Sequence, residues 1–256
     1  MAFENGDWIW PWVLSHAGVW AIVMARVLGL CLTAPVLAVP ELDWRLRLGL
    51  ALVLGVVLIP VLGPLIVAPS DGASAALALV LEILTGAILG WWAALIIAGA
   101  RTAGDLVAAQ SGLATAALFD PETGAEITAL GRLYGWVALA VFLALDGPLV
   151  LVGALVESYQ AVPAGRLLLS QDTAALAFAQ IGRALEVALR AAAPAALALC
   201  LAGIVLSWLS RAASSLPFVA LALPIRSALG VVLILLSLGT LFTTLSGAWD
   251  TLPWRP

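Results

Sequence analysis

The sequence predicts an all-α integral membrane protein with about six hydrophobic helical segments. Of its 256 residues, 64% are hydrophobic and 10% are charged, whereas soluble domains have roughly 45–50% apolar and about 25% charged residues. Several nearly uncharged runs, such as Leu46 to Ala68 and Val231 to Ala248, are long enough for a helix to cross a hydrocarbon core of about 30 Å. No gap between the apolar runs is large enough for a soluble domain.

The first three segments fall at about residues 9–34, 46–68 and 75–100. The first follows Glu4 and Asp7, where a signal peptide would carry Lys or Arg, so we expect it to be retained. Pro35 ends the first segment and Pro69 ends the second, because proline and its neighbouring turn residues interrupt helices. Arg101 ends the third.

The last three segments fall at about residues 130–157, 187–209 and 226–248. Asp146, Gly147 and Pro148 lie inside the fourth segment, which leaves open a kinked helix or a turn between two shorter helices. Pro163 and Gly165 precede the fifth segment. Segments of this kind, dense in Gly and Ala at spacings such as Gly86 and Gly90, predict close helix packing, because small residues let backbones approach.

Composition also excludes several classes of function. A net charge of -4 argues against nucleic acid as a partner. Cys31 and Cys200 lie in apolar runs, and His16 is the one histidine, so we expect no metal site and no cofactor. The sequence lacks the HExxH motif of metalloproteases and a GxSxG-like companion for His16. We therefore predict that the protein is not an enzyme.

Charged residues within or beside the apolar segments are candidates for function, because charges in lipid usually face a partner or a water-filled path. They are Arg26, Glu82, Arg183, Glu186 and Arg190. The last three can neutralise one another at i, i+3 and i, i+4 spacing on one helical face. Arg26 and Glu82 lack a local partner, so they either face neighbouring subunits or pair with each other across helices as the ion or substrate site of a small-solute transporter.

Small, weakly polar residues interrupt the hydrophobic pattern between the third and fourth segments. From Arg101 to Leu130 the chain reads RTAGDLVAAQSGLATAALFDPETGAEITAL, where a tight turn would suffice to connect two spans. Irregular backbone at membrane depth is tolerated only where protein buries it or water reaches it. This stretch is therefore the main candidate for a functional segment.

The order of residues in this stretch carries a resemblance to a known family. The residues are Arg101-x-Ala103-Gly104-Asp105, Gln110-x-Gly112-Leu113 and Phe119-Asp120-Pro121. They resemble the central signature of the FliR family of flagellar export-gate proteins, which is related to subunits of virulence-type injectisomes. Matches in the same order elsewhere are Arg26, Thr33-Ala34-Pro35, Pro40, Asp146-Gly147, Pro194, Phe218 and Pro224. The resemblance covers residues 1–256 as a single membrane-embedded domain.

The resemblance implies a subunit of the flagellar type III export gate in the bacterial inner membrane, within the flagellar basal body. Members of the family assemble with FliP-like and FliQ-like subunits into the channel through which unfolded flagellar proteins leave the cytoplasm. An FlhB-like switch protein packs against that core, and an FlhA-like export engine lies beneath it. The resemblance further implies kinked helices, paired as hairpins, that pack in this hetero-oligomeric core.

The family also implies a lumenal plug, which corresponds to a loop at about residues 106–126 here. Its gating residues would be Gly112, Leu113, Thr115, Leu118, Phe119, Asp120 and Pro121. Arg101, Asp105 and Gln110 would form the base of the loop, with Arg101 and Asp105 as an i, i+4 pair. Thr115 and Leu118 stand where well-known members carry phenylalanines, so the seal is either looser or made by Leu113, Leu118 and Phe119.

Two alternatives remain beside the flagellar gate. One is an injectisome subunit of the same family, which neighbouring genes would distinguish. The other is the small-solute transporter using Arg26 and Glu82, which predicts a functional protein when purified alone and loss of uptake in Glu82→Gln.

Overall fold

The computed structural model describes residues 9–37, 43–66, 71–112, 128–166, 171–212 and 218–250. Within these residues there are seven α-helices, a short 3-10 turn at Gly63–Leu65 and no strand. The helices are α1 (Ile9–Thr33), α2 (Trp44–Leu62), α3 (Gly72–Ser111), α4 (Ala129–Ala144), α5 (Gly147–Ala161), α6 (Gln171–Ala212) and α7 (Phe218–Asp250). Four helices are long and apolar enough to cross a membrane, or five if α4 and α5 form one broken span. The predicted all-α membrane protein is confirmed.

The fourth hydrophobic segment is two helices rather than one kinked helix. Asp146 has a positive φ of 55°, which is the left-handed conformation that Asp tolerates better than most residues. The amide of Leu145 still bonds to the carbonyl oxygen of Val141 at 3.0 Å, so α4 closes its last turn before the break. Gly147 then begins α5.

Three helices are longer than their hydrophobic segments indicate: α3, α6 and α7, the last of which begins at Phe218 rather than near residue 226. At about 1.5 Å per residue, the 40 residues of α3 extend over about 60 Å, twice a hydrocarbon core of about 30 Å. The helix continues through Ser111 because Leu106, Ala108 and Ala109 are good helix formers and the side chains of Val107 and Ala108 are buried. The predicted loop start near residue 106 is therefore corrected to the end of α3. In α6 the helix begins at Gln171, well before residue 187.

The chain divides into two compact units. The first contains the described residues of Met1–Ala94 and Gly147–Leu176. In this unit α1 packs on α2 and approaches α3 so closely that Cβ atoms at Gly29 and Gly86 would overlap backbone atoms of the facing helix. The Thr33 hydroxyl donates to the carbonyl oxygen of Ala87 at 2.9 Å across the same contact. The predicted close packing through small residues is confirmed.

The second unit contains the described residues of Leu95–Asp146 and Ala177–Pro253. Here α4 packs on α7. Between them the Tyr134 hydroxyl lies 3.1 Å from the Ser237 hydroxyl, and the rings of Phe142 and Trp249 are 4.7 Å apart. The last turns of α3 and the beginning of α4, on either side of residues 113–127, also belong to this unit.

Candidate functional site

Asp105 on α3 holds the residue that begins α4. Its Oδ1 accepts hydrogen bonds from the backbone amide and the hydroxyl of Thr128, at 3.1 and 2.7 Å. The Thr128 hydroxyl oxygen in turn accepts from the amide of Gly131 at 3.0 Å and caps the helix, as a threonine before the first turn commonly does. A single carboxylate thus joins the last turns of α3 to the start of α4.

The predicted ion pair between Arg101 and Asp105 is corrected. The ion pairs of the described residues do not include one between them, because Thr128 provides two donors to the carboxylate. The aliphatic part of Arg101 instead lies against α4, where a Cβ on Gly135 would come within 2.8 Å of Arg101 Cγ. Gly104 lies equally close to the backbone of Gly131. Arg101, Gly104 and Asp105 of α3 therefore all contact α4.

The end of α3 is also bound to α7. The Ser111 carbonyl oxygen accepts from the hydroxyl of Ser227 at 3.3 Å, and the buried Ser111 side chain lies against Gly230. The next residue, Gly112, has a φ of +79°, which L-residues with a Cβ rarely adopt. Gln110 lines a cleft in the same unit. The end of α3 is thus held against α7, and the chain continues through Gly112, whose positive φ favours glycine.

Six of the residues proposed for gating lie outside the described residues. They are Leu113, Thr115, Leu118, Phe119, Asp120 and Pro121. Their roles in a plug stay predictions from the sequence.

Arg26 and Glu82 form a bidentate ion pair inside the first unit. Arg26 Nε donates to Glu82 Oε2 at 2.6 Å, and Nη2 donates to Oε1 at 3.1 Å. Both side chains are fully buried. Because each charge is removed from water, the pair depends on the fixed geometry of α1 and α3.

Further polar groups complete the environment of this pair. The Arg26 guanidinium also donates to the Ser158 hydroxyl at 2.9 Å and to the Val162 carbonyl oxygen at 3.1 Å. Its Cζ lies 3.7 Å from the ring centroid of Tyr159, a cation–π distance. The amide of Gly165 donates to Glu82 Oε1 at 2.8 Å. The ion pair therefore holds the end of α5 and the turn after it.

These contacts correct the hypothesis that Arg26 and Glu82 face neighbouring subunits, because both groups are buried within this chain. The other charged residues, Arg183, Glu186 and Arg190, lie at the surface instead. Glu186 and Arg190 form the predicted i, i+4 ion pair at 2.6 Å, with both side chains exposed. Arg183 lines a surface groove with them. This groove lies on α6 and α7, where a neighbouring subunit or solvent can reach it.

Sequence reasoning missed the residues that complete both arrangements. Ser158, Tyr159 and Gly165 surround the buried pair, and Thr128 binds Asp105. From the sequence, Gly165 was predicted only to interrupt a helix, and its φ of +74° is consistent with that role. For Thr128 a signal existed: a threonine directly before an apolar run is a typical helix N-cap.

Replacing Asp105 with alanine is expected to destabilise the beginning of α4 by about 1–2 kcal/mol, since two hydrogen bonds to a half-exposed carboxylate are lost. Hydrogen exchange should become faster at the amides of Thr128 and Gly131. The matched control is Thr128→Ser, which keeps the hydroxyl as donor and acceptor and should leave exchange close to wild type. Unchanged exchange in the alanine variant would contradict the role of Asp105.

Comparisons with known proteins agree on one family. Residues 17–252 match the family described as "Bacterial export proteins, family 1". The chain is 31% identical over 233 residues to "Flagellar biosynthetic protein FliR" of Pectobacterium carotovorum subsp. carotovorum, covering 90% of this chain and 86% of that protein. It is 30% identical to the protein of the same name from Escherichia coli (strain K12), covering 85% and 83%. Over 157 residues it is 30% identical to "Yop proteins translocation protein T" of Yersinia pestis, with 60% of each chain covered.

Proposed function

Since the chain belongs to family 1 of the bacterial export proteins, we propose that it is a subunit of the flagellar type III protein export gate. It is embedded in the membrane through its long apolar helices. In this proposal the membrane is the bacterial inner membrane at the flagellar basal body, and the protein is a channel component without catalytic activity. Unfolded flagellar proteins pass through the channel, and other parts of the apparatus supply the energy.

The observation that carries the flagellar assignment is the extent of the similarity. The two flagellar relatives are matched over 86% and 83% of their own lengths, whereas the Yersinia translocation protein is matched over 60%. The match to flagellar proteins therefore includes regions that the match to the injectisome relative does not. The injectisome gate is the second candidate, since the same family includes it, and loss of motility rather than loss of effector secretion would separate the two.

The geometry at the end of α3 supports a gating role for residues 113–127. Asp105 and Thr128 fix the two ends of this segment, and Gly112 sets the direction in which the chain leaves α3. A segment held at its base can move between two positions without disturbing the helices that carry it. In the proposed mechanism this segment closes the lumen as a plug, with Leu113, Leu118 and Phe119 making the seal.

Exposed apolar surface supports assembly with other membrane subunits. Along α6 the exposed large residues include Leu185, Leu189, Leu197 and Leu201. At about 1.5 Å per residue, the 42 residues of α6 are longer than lipid alone covers. We propose that FliP-like and FliQ-like subunits cover this surface, and that FlhB-like and FlhA-like proteins contact the resulting core.

The assembly can be tested by tagging the C-terminus and expressing the chain with its native genomic neighbours. After extraction in mild detergent, mass spectrometry of the intact complex should find one copy of this chain with several copies each of two small membrane subunits. A stable monomer or homodimer would overturn the proposal. The transporter alternative is disfavoured in advance, because Arg26 and Gly165 already occupy both oxygens of Glu82.

Replacing Gly112 with a bulky residue such as valine is expected to reduce secretion and motility. A β-branched residue at a φ of +79° costs about 1–2 kcal/mol or more, so the chain would leave α3 in another direction. Gly112→Asn is the matched control, since asparagine tolerates this conformation and should retain more motility than the valine variant. Swimming diameter in soft agar and the flagellin content of the medium measure both. Normal motility of Gly112→Val would count against a gating role.

A further inference from the structure

A cleft of about 450 Å³ in the second unit is lined by polar and basic residues. It lies among α3, α6 and α7. The residues that give it its character are Gln110, Cys200, Ser207, Arg211 and Arg226. None of the described residues that line it is acidic. The cleft is therefore positively charged.

One of the two arginines of the cleft, Arg226, has an unused hydrogen-bond donor. Arg226 Nε is buried and lacks an acceptor among the described residues. The ion pairs found in the described part of the chain involve neither Arg211 nor Arg226. A buried donor without an acceptor is unfavourable, and an anion in the cleft would satisfy it. Gly203 provides the room, because a Cβ there would lie 3.8 Å from Arg226 Cζ.

The position of the arginines along the helices places them at a membrane surface. Arg211 follows the apolar span Phe178–Leu209 by two residues, and Arg226 is two residues into the span Pro224–Trp249. Since α6 and α7 are consecutive helices with a short connection, these two span ends lie on the same side. Arginines at span ends reach the level of the lipid head groups.

An apolar groove continues from the basic cleft along α6. It is lined by Ile204, Val205, Trp208 and Leu209, and Ile204 and Trp208 line the cleft as well. Trp208 is 74% exposed, and exposed tryptophans are typical of the membrane interface. A ligand that fits both parts has an anionic head and an apolar chain.

We propose that this cleft binds an anionic phospholipid, with the phosphate between Arg211 and Arg226 and an acyl chain along Ile204, Val205 and Trp208. Basic pockets between membrane helices commonly bind anionic head groups. Inorganic phosphate has the same charge and hydrogen-bonding groups, but it leaves the apolar groove uncovered. The proposal concerns a ligand site and does not depend on the export function.

The test uses the full chain in whatever assembly it forms with its native neighbours, in a neutral detergent. Phosphatidylglycerol is titrated alone and again in the presence of inorganic phosphate, phosphatidylcholine is titrated separately, and intact-complex mass spectrometry counts the bound lipid. We expect saturable binding of phosphatidylglycerol, and no competition from phosphate at equal concentration. Equal binding of phosphatidylcholine, or effective competition by phosphate, would overturn the assignment of an anionic lipid.

Charge variants identify the binding residues. Arg211→Gln with Arg226→Gln should weaken phosphatidylglycerol binding about thirty-fold, if each arginine contributes the usual amount at a membrane surface. Arg132→Gln with Arg166→Gln is the matched control, because it removes the same charge from exposed positions outside the cleft. Equal weakening in both double variants would mean general charge attraction and would overturn the site.

A variant without a charge change tests the shape of the cleft. Gly203→Leu should fill the space beside Arg226 and weaken phosphatidylglycerol binding at least ten-fold. Gly182→Leu is its control on the same helix, since no atom lies within 4 Å of a Cβ there, and it should bind as wild type does. Wild-type affinity in Gly203→Leu, with both variants equally folded by circular dichroism, would place the lipid elsewhere.

Discussion

Replacing Glu82 with glutamine is expected to destabilise the protein by about 3–5 kcal/mol, because it leaves the buried charge of Arg26 without its counterion. Both side chains are fully buried, so water cannot solvate the remaining guanidinium. The glutamine amide also presents a donor where Arg26 or the Gly165 amide needs an acceptor. The measurement is the temperature at which the detergent-purified protein stops being monodisperse, together with its steady-state level in membranes.

The chain provides a matched control in the exposed ion pair of Glu186 and Arg190 within α6. Glu186→Gln breaks an ion pair with the same N–O distance, 2.6 Å, but with side chains that are 50% and 71% exposed. Exposed i, i+4 pairs contribute about 0.3–0.5 kcal/mol, so this variant should have nearly wild-type stability. Equal losses in the two variants would contradict a structural role for the buried pair. A stable Glu82→Gln protein that had lost solute uptake would instead favour a transporter.

Removing both charges separates the cost of an unpaired charge from the value of the pair. Replacing a buried ion pair with apolar residues is often neutral or stabilising. Here Arg26→Met with Glu82→Met also leaves the Val162 carbonyl and the Gly165 amide without their partners, at about 1–3 kcal/mol each, while removal of both buried charges recovers about 1–4 kcal/mol. The double variant should therefore be more stable than Glu82→Gln and less stable than wild type.

Helix positions were predictable from the sequence where hydrophobicity decides them, and their ends were not. The apolar run of α2 gives its beginning to within two residues, but the helix ends at Leu62 rather than near residue 68, because Pro64 follows in a 3-10 turn. In α6 the helix begins at Gln171, in a stretch whose polar residues lower hydropathy without opposing helix formation. At Asp146 the sequence left a kink or a turn open, since the left-handed conformation that decides it depends on tertiary packing.

The candidate site shows the same limit. The sequence singled out Arg26 and Glu82 as charged residues without local partners. Charged side chains are costly in a lipid environment, so such residues are strong candidates for a paired or functional role. It left open whether they pair with each other across helices or face neighbouring subunits, because 56 residues separate them and only the approach of α1 to α3 brings them together. Asp105 was predicted at the base of the segment with Arg101 as its partner, but the structure pairs it with Thr128, 23 residues away and beyond the reach of i, i+4 reasoning.

The second large loss of stability is expected at the close contact between α1 and α3. Gly86→Ala is expected to destabilise the protein by about 3 kcal/mol or more, at the upper end of overpacking costs. The added Cβ would overlap the carbonyl oxygen of Arg26 and lie 2.9 Å from the Leu30 amide nitrogen. These are backbone atoms, so a rotamer change cannot relieve the overlap and α1 must move away from α3.

Gly49→Ala is the control with the opposite expected sign. Gly49 also lies inside a helix, but no atom is within 4 Å of its added Cβ. Alanine there should stabilise α2 by about 0.5–1 kcal/mol. Thermal transitions of the two purified variants measure the difference. Similar stability of the two variants would show that α1 and α3 do not require glycine at their contact.

Combining Gly86→Ala with Glu82→Gln tests whether the two effects share one cause. Gly86 contacts the backbone of the same arginine whose side chain binds Glu82, so moving α1 away from α3 should already weaken the ion pair. The combined loss is then smaller than the sum of the single losses, since contacting residues are not additive. A fully additive loss would mean that helix packing and the ion pair stabilise the first unit independently.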